Sequence, residues 1–220
     1  MARVSIVSVM ENGWDSFEQV HALLSGSEGG EALIKAAEAM RKAANAGHAG
    51  AANEFGSLLH HGRGVPQDLT AARAYYTQAA ESGLAAAQFS LGFMLVRGLG
   101  GPVDKARART LFLSAAAQGE LDAITHLGAM MMAGTGGPQE FDTARDWWGK
   151  GAELGDSRCA FNLGIAHAGG HGAEPDFVSA WRWFKHAEHL GSGGAALELE
   201  RLESVMSEEQ HKAALARKCC

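Results

Sequence analysis

Apolar residues recur along this chain at helical rather than strand spacing. Between 51 and 61, Ala51, Phe55, Leu58 and Leu59 fall at i, i+4, i+7 and i+8, one apolar stripe along a predicted helix. Gly62 ends it. A second predicted helix runs from about Asp68 to Ser82, with Asp68 at or near the N-cap, where a carboxylate accepts from orphan N–H groups and faces the positive helix end. Gly83 stands where a C-cap residue with positive φ is wanted. The segment between them, "HHGRGVPQD" (60 to 68), combines two histidines, a Gly-x-Gly and an acid. Taken alone it has the ingredients of a metal clamp, a phosphate loop or a plain turn.

The helix pair is repeated. Gly56, Gly92, Gly128 and Gly164 are 36 residues apart, as are Gly62, Gly98, Gly134 and Gly170, and Gly64, Gly100, Gly136 and Gly172. On that step "GRGVPQD" becomes "GLGGPVD", "GTGGPQE" and "GHGAEPD": the glycines and the acid recur and the rest drifts. A fixed period of this length marks a stacked repeat architecture. The predicted organisation is an N-terminal arm (1–14), a degenerate repeat (15–50), four full repeats (51–86, 87–122, 123–158 and 159–194), and C-terminal capping helices and tail (195–220). The cap includes a capping-box spacing from Ser207 to Gln210.

Two features predict how the helices pack. Gly56 lies inside a first helix, where glycine costs about 1 kcal/mol relative to alanine, so its recurrence predicts close helix approach. The aromatic slot Tyr75-Tyr76, Leu111-Phe112, Trp147-Trp148 and Trp183-Phe184 is expected to fill the space between successive hairpins.

Composition narrows the function classes. The 220 residues are 46% hydrophobic, with 4 prolines and few β-branched residues, which fits an all-α protein with a proper core. A net charge of -6 argues against nucleic-acid binding, which needs a basic surface. No stretch approaches a membrane span or a signal-peptide core, so a cytoplasmic protein with neither nucleic acid nor membrane as partner is expected. Cys159, Cys219 and Cys220 cannot form a disulfide framework and fit a reducing compartment; the terminal "KCC" is read as a frayed tail.

The pattern A-x-x-x-L-G, then G-x-G-V-x-x-D, then A-x-x-W/Y-Y/F-x-x-A-A-x-x-G, seen four times in phase between about 30 and 194, resembles the Sel1-like repeat, a relative of the tetratricopeptide repeat. It departs where Leu59, Leu95, Met131 and His167 replace a tyrosine of the first helix and where the third and fourth turns lack the valine. The resemblance implies a right-handed α-α superhelix, a solenoid of helix-turn-helix repeats, whose concave surface binds another protein or peptide. Members of the family are typically adaptors in bacterial signalling, envelope assembly and host interaction, or in eukaryotic protein quality control. Cysteine-rich members associated with penicillin binding or β-lactam hydrolysis carry a disulfide in each repeat, which this chain lacks along with any Ser-x-x-Lys.

Chemistry at single residues is weighed against that frame. His60 and His61 are adjacent and so should point to different helix faces; His167-His171 and His186-His189 have workable spacing but no surrounding His/Asp/Glu set, so no metal is expected. A phosphate loop needs a preceding strand and a Lys-Ser/Thr, which Gly62 to Asp68 lacks. Cys159 is read as a small buried residue, the tryptophans as core, and Trp181 as the more exposed of them. No catalytic residue and no cofactor is therefore assigned.

The variable positions of the first helices remain. They give Glu54, Ser57 and His61; Ser90, Phe93 and Arg97; His126, Ala129 and Met132; and Asn162 and Ile165. Such a groove, with Phe93 and Met132 as apolar anchors and Arg97, His126 and Asn162 at its rim, suits an extended peptide or a helix. The expected function is a non-enzymatic interaction module, monomer or weak dimer, acting as adaptor, scaffold or regulator. An immunity-type inhibitor of a toxin or effector is the alternative and a hydrolase a minor one.

Overall fold

A computed structural model of the chain describes residues 30–216. The N-terminal arm, the first part of the degenerate repeat and Cys219-Cys220 lie outside the described residues. Within them are eleven α-helices and no strand: α1 (Gly30–Asn45), α2 (Ala49–His61), α3 (Leu69–Glu81), α4 (Ala85–Arg97), α5 (Lys105–Ala116), α6 (Leu121–Ala133), α7 (Phe141–Glu153), α8 (Ser157–Ala168), α9 (Phe177–His189), α10 (Ala195–Glu203) and α11 (Glu208–Ala216). First helices begin two residues earlier than the sequence reading placed them. The chain divides into two compact units, one ending at residue 111 and the other beginning at 112, within α5.

The same local devices delimit each helix pair. Asp68, Asp104 and Asp176 each accept through Oδ1 from the backbone N–H three residues on, that of Ala71, Arg107 and Ser179, at 2.9 Å. Glu140 holds the equivalent place and makes no side-chain cap, so there the acid recurs without its bond. The backbone N–H groups of Asp68, Asp104, Glu140 and Asp176 donate to the carbonyls of Leu59, Leu95, Met131 and His167, each at 3.0 Å. These bonds fold every turn back onto its own first helix and occupy the N–H that a phosphate would need. "HHGRGVPQD" is a closed turn.

The glycine and the aromatic residue meet inside each helix pair. A Cβ on Gly56 would lie 3.0 Å from the Tyr76 ring, one on Gly164 2.5 Å from the Phe184 ring, and one on Gly128 would press into the Trp148 indole. The expectation that the aromatic slot fills the space between successive hairpins is therefore corrected: the second member of the slot closes its own hairpin. Tyr76, Phe112, Trp148 and Phe184 are buried, whereas Tyr75, Leu111, Trp147 and Trp183 are half-buried. Trp147 instead lies under the Lys150 ammonium, 4.4 Å from its ring centroid.

Successive repeats are joined by contacts that the motif reading did not assign. In the first unit the Arg73 guanidinium donates to the Pro102 carbonyl at 3.0 Å; in the second, Arg145 donates to the His171 carbonyl at 2.6 Å. Each arginine ties a second helix to the turn of the next repeat. Trp181 is next in that register and is half-buried, its indole N–H donating to Glu203 Oε1 at 2.8 Å. It is thus no more exposed than Trp147 or Trp183, contrary to expectation, because it takes the place of the arginine. The chain ends on a small core of Ala180, Phe184, Leu199, Leu202, Met206 and Ala214. The predicted capping box starts α11: the Gln210 N–H donates to Ser207 Oγ at 3.2 Å and the Ser207 N–H to Gln210 Oε1 at 2.8 Å.

Candidate protein-interaction surface

Every one of the residues singled out on the first helices is half-buried or exposed. In the first unit, α2 carries Glu54, Ser57 and His61, and α4 carries Ser90, Phe93 and Arg97. Arg97 lies with its guanidinium carbon 5.6 Å from the Phe93 ring centroid, so a cation and a half-buried aromatic face are presented together. Ser57 and Ser90 are partly spent on structure: both hydroxyls hydrogen-bond the buried Tyr76 hydroxyl, which links α2 and α4 through α3. The His61 ring nitrogen Nδ1 lies 2.9 Å from the Ser57 carbonyl.

His60 and His61 do not diverge as expected; their rings stack, with centroids 4.7 Å apart. Burial, then the neighbouring His61, holds His60 below its ordinary pKa. Among the described residues no group of three His, Cys, Asp or Glu could hold a metal.

In the second unit, α6 carries His126, Ala129 and Met132, and α8 carries Asn162 and Ile165. The His126 ring packs at 5.6 Å on Phe112, and its Nδ1 lies 2.8 Å from the Asp122 carbonyl. Ala129 and Ile165 are exposed, the latter at 38% of its surface. The two groups, Phe93 with Arg97 and His126, Met132 with Asn162, belong to different units.

A polar network that no repeat signal marks ties α6 to α8. Arg158 donates to Asp122 Oδ1 at 2.6 Å and to Asp156 Oδ2 at 2.7 Å, and Thr125 Oγ1 donates to Asp156 Oδ2 at 3.3 Å. Burial pushes the Asp156 carboxyl up, but the hydrogen bonds and charge of Arg158 outweigh it and hold the carboxyl below its ordinary value. Such a group contributes stability above its unfolded pKa and loses it as pH falls through its lower folded pKa. Asp156→Asn is accordingly expected to cost about 1–3 kcal/mol in urea unfolding at pH 7, with a gap that narrows below about pH 4. A gap that stays constant with pH would show that the carboxylate charge is not what Arg158 holds.

Cys159, beside this network, is fully buried, and burial foremost pushes its thiol up to about 11. A thiol in that state is protonated at neutral pH and shielded from solvent, the opposite of an activated nucleophile.

The comparisons with known proteins agree with this geometry. The Sel1 repeat model matches residues 49–84, 85–120, 121–156 and 157–192, so its boundaries coincide with the observed helix starts. No curated protein matches the sequence. Among solved structures, a protective antigen of uropathogenic Escherichia coli displaying an SLR fold is 28% identical, with a TM-score of 0.83 over 97% of this chain and 48% of its own. The chain thus spans about half the length of that antigen. A Sel1 repeat protein from Oxalobacter formigenes is 25% identical, with a TM-score of 0.77 over 91% of this chain and 84% of its own. An immunity protein from Pseudomonas aeruginosa is similar in fold at 18% identity, with a TM-score of 0.51 over 97% of this chain and 76% of its own. With four tandem matches over well more than half of its length, the chain belongs to the Sel1 repeat family.

Proposed function

We propose that this chain is a non-enzymatic adaptor or regulator that holds a protein or peptide partner on the variable face of its first helices. Sel1 repeat proteins generally mediate protein–protein interaction. One observation carries the reading to these residues. The packed positions of each repeat stay alanine, leucine and glycine, while the exposed series 54, 90, 126 and 162 runs Glu, Ser, His, Asn and the series 57, 93, 129 and 165 runs Ser, Phe, Ala, Ile. A rigid scaffold with constant packing and varied exposed side chains is how repeat proteins acquire specificity. Phe93 beneath Arg97 is the anchor of the first unit, an aromatic surface with a cation beside it.

The protein works in this reading without cofactor or metal and in the cytoplasm, where Cys159 remains an unpaired thiol. Blocking a toxin or effector is a narrower form of the same activity. The likeness to an immunity protein is one of fold and does not select that form.

The test is capture from native lysate with the tagged chain, the retained proteins identified by mass spectrometry. The double variant Phe93→Ala/Arg97→Ala is expected to lose the partner, and Glu81→Ala, an exposed change on a second helix, to retain it. Capture that survives the first variant and is abolished by the second would overturn the assignment of the face.

A further inference from the structure

The series of variable positions does not stop at the last full repeat. One period beyond Asn162, Ile165 and Gly169 stand Glu198, Arg201 and Val205, in α10 and the turn after it. Here the chain breaks its own rule. Helix α10 ends at Glu203 and α11 starts at Glu208, leaving four residues where earlier turns have seven or eight, and no Gly-x-Gly. In the preceding repeat the second glycine of the turn, Gly172, packs against the first residue of the preceding second helix, Phe141. Beside Phe177, the equivalent residue of α9, the shortened turn leaves an open groove of about 220 Å³.

Its walls are Ala168, Phe177, Phe184, Leu202 and Val205, and Glu198 and Arg201, paired at 2.7 Å, border it. Val205 is 62% exposed although it lines the groove. The surrounding cap is acidic: residues 195–216 hold Glu198, Glu200, Glu203, Glu208 and Glu209 against Arg201 and Lys212. An apolar slot large enough for one side chain, set in a negative surface, fits an apolar residue flanked by cations. We propose that this groove seats an apolar side chain of a basic amphipathic helix, whose lysines or arginines face the glutamates of α10 and α11. A second copy of the chain is the poorer occupant, because its net charge of -6 opposes approach to an acidic surface. The inference rests on the interaction-module reading and adds a second, chemically distinct contact to it.

The test uses the full chain and a fluorescein-labelled 16-residue helical peptide of leucine, lysine and alanine, titrated by fluorescence anisotropy, with the Trp181 indole N–H followed by NMR. Binding is expected, with a shift of the Trp181 signal. Affinity should drop about tenfold or more in Val205→Arg and for a lysine/serine peptide of equal charge, and should be unchanged in Phe93→Ala/Arg97→Ala. Equal affinity in Val205→Arg, or equally tight binding of the lysine/serine peptide or of an acidic peptide with the same leucine pattern, would overturn the proposal. So would self-association of the chain that Val205→Arg abolishes. Because the groove is read through Val205 and the first-helix face through Phe93 and Arg97, the two readings fail separately.

Discussion

Gly100→Ala is expected to cost at least about 3 kcal/mol of stability, while Gly83→Ala costs about 1–2 kcal/mol. Both glycines have left-handed backbones, φ 68° and 86°, so the conformational penalty of a Cβ is shared. Their surroundings differ. A Cβ on Gly83 would meet nothing within 4 Å, whereas one on Gly100 would press into the carbonyl oxygen of Leu69, in the first turn of the preceding second helix. Backbone cannot rotate away as a side chain can, so the clash separates the turn from the helix it packs on. Urea or thermal unfolding of the two variants measures the difference. Equal losses would mean that the turn glycines serve their own conformation alone and do not join one repeat to the next.

Trp148→Ala should be comparably damaging, about 3–5 kcal/mol, because it empties the centre of the α6–α7 pair and removes the indole N–H bond to the Thr125 carbonyl, 3.2 Å long. The glycine opposite supplies a sharper test. Alanine at Gly128 gains about 1 kcal/mol of helix propensity and meets the indole, an overpacking of about 1–3 kcal/mol, so the net effect is a loss. In a Trp148→Leu background the clash is relieved, and the same alanine should become stabilising. That change of sign, measured as a double-mutant cycle by urea unfolding, isolates the contact. Additive effects would place the indole elsewhere.

These two contacts also mark where the sequence was and was not legible. The 36-residue step exposed every turn, the N-cap role of Asp68 and the capping box at Ser207, since each is a local device with its own residue signature. It could not say which surface an aromatic residue fills, because Trp148 at the same period fits the inside of a hairpin as well as the gap between two. The arginines at 73, 109 and 145 also recur on the step, and that signal could have revealed the tie between a second helix and the next turn. It was obscured by Trp181, which occupies the fourth place and substitutes an indole N–H for a guanidinium. The network of Asp122, Asp156, Arg158 and Thr125 occurs in one place, so no periodicity could point to it. On the interaction surface the sequence supplied a series of exposed positions but ended it at Ile165. The continuation to Glu198, Arg201 and Val205 became visible through the groove that the shortened turn leaves open.

The central claim is that the varied first-helix residues hold the partner. Its most direct test is isothermal titration of the partner captured from lysate into the wild-type chain and into Phe93→Ala/Arg97→Ala, with folding of both checked by circular dichroism. The account predicts a dissociation constant at least about tenfold higher for the variant. An unchanged constant in a fully folded variant would contradict it.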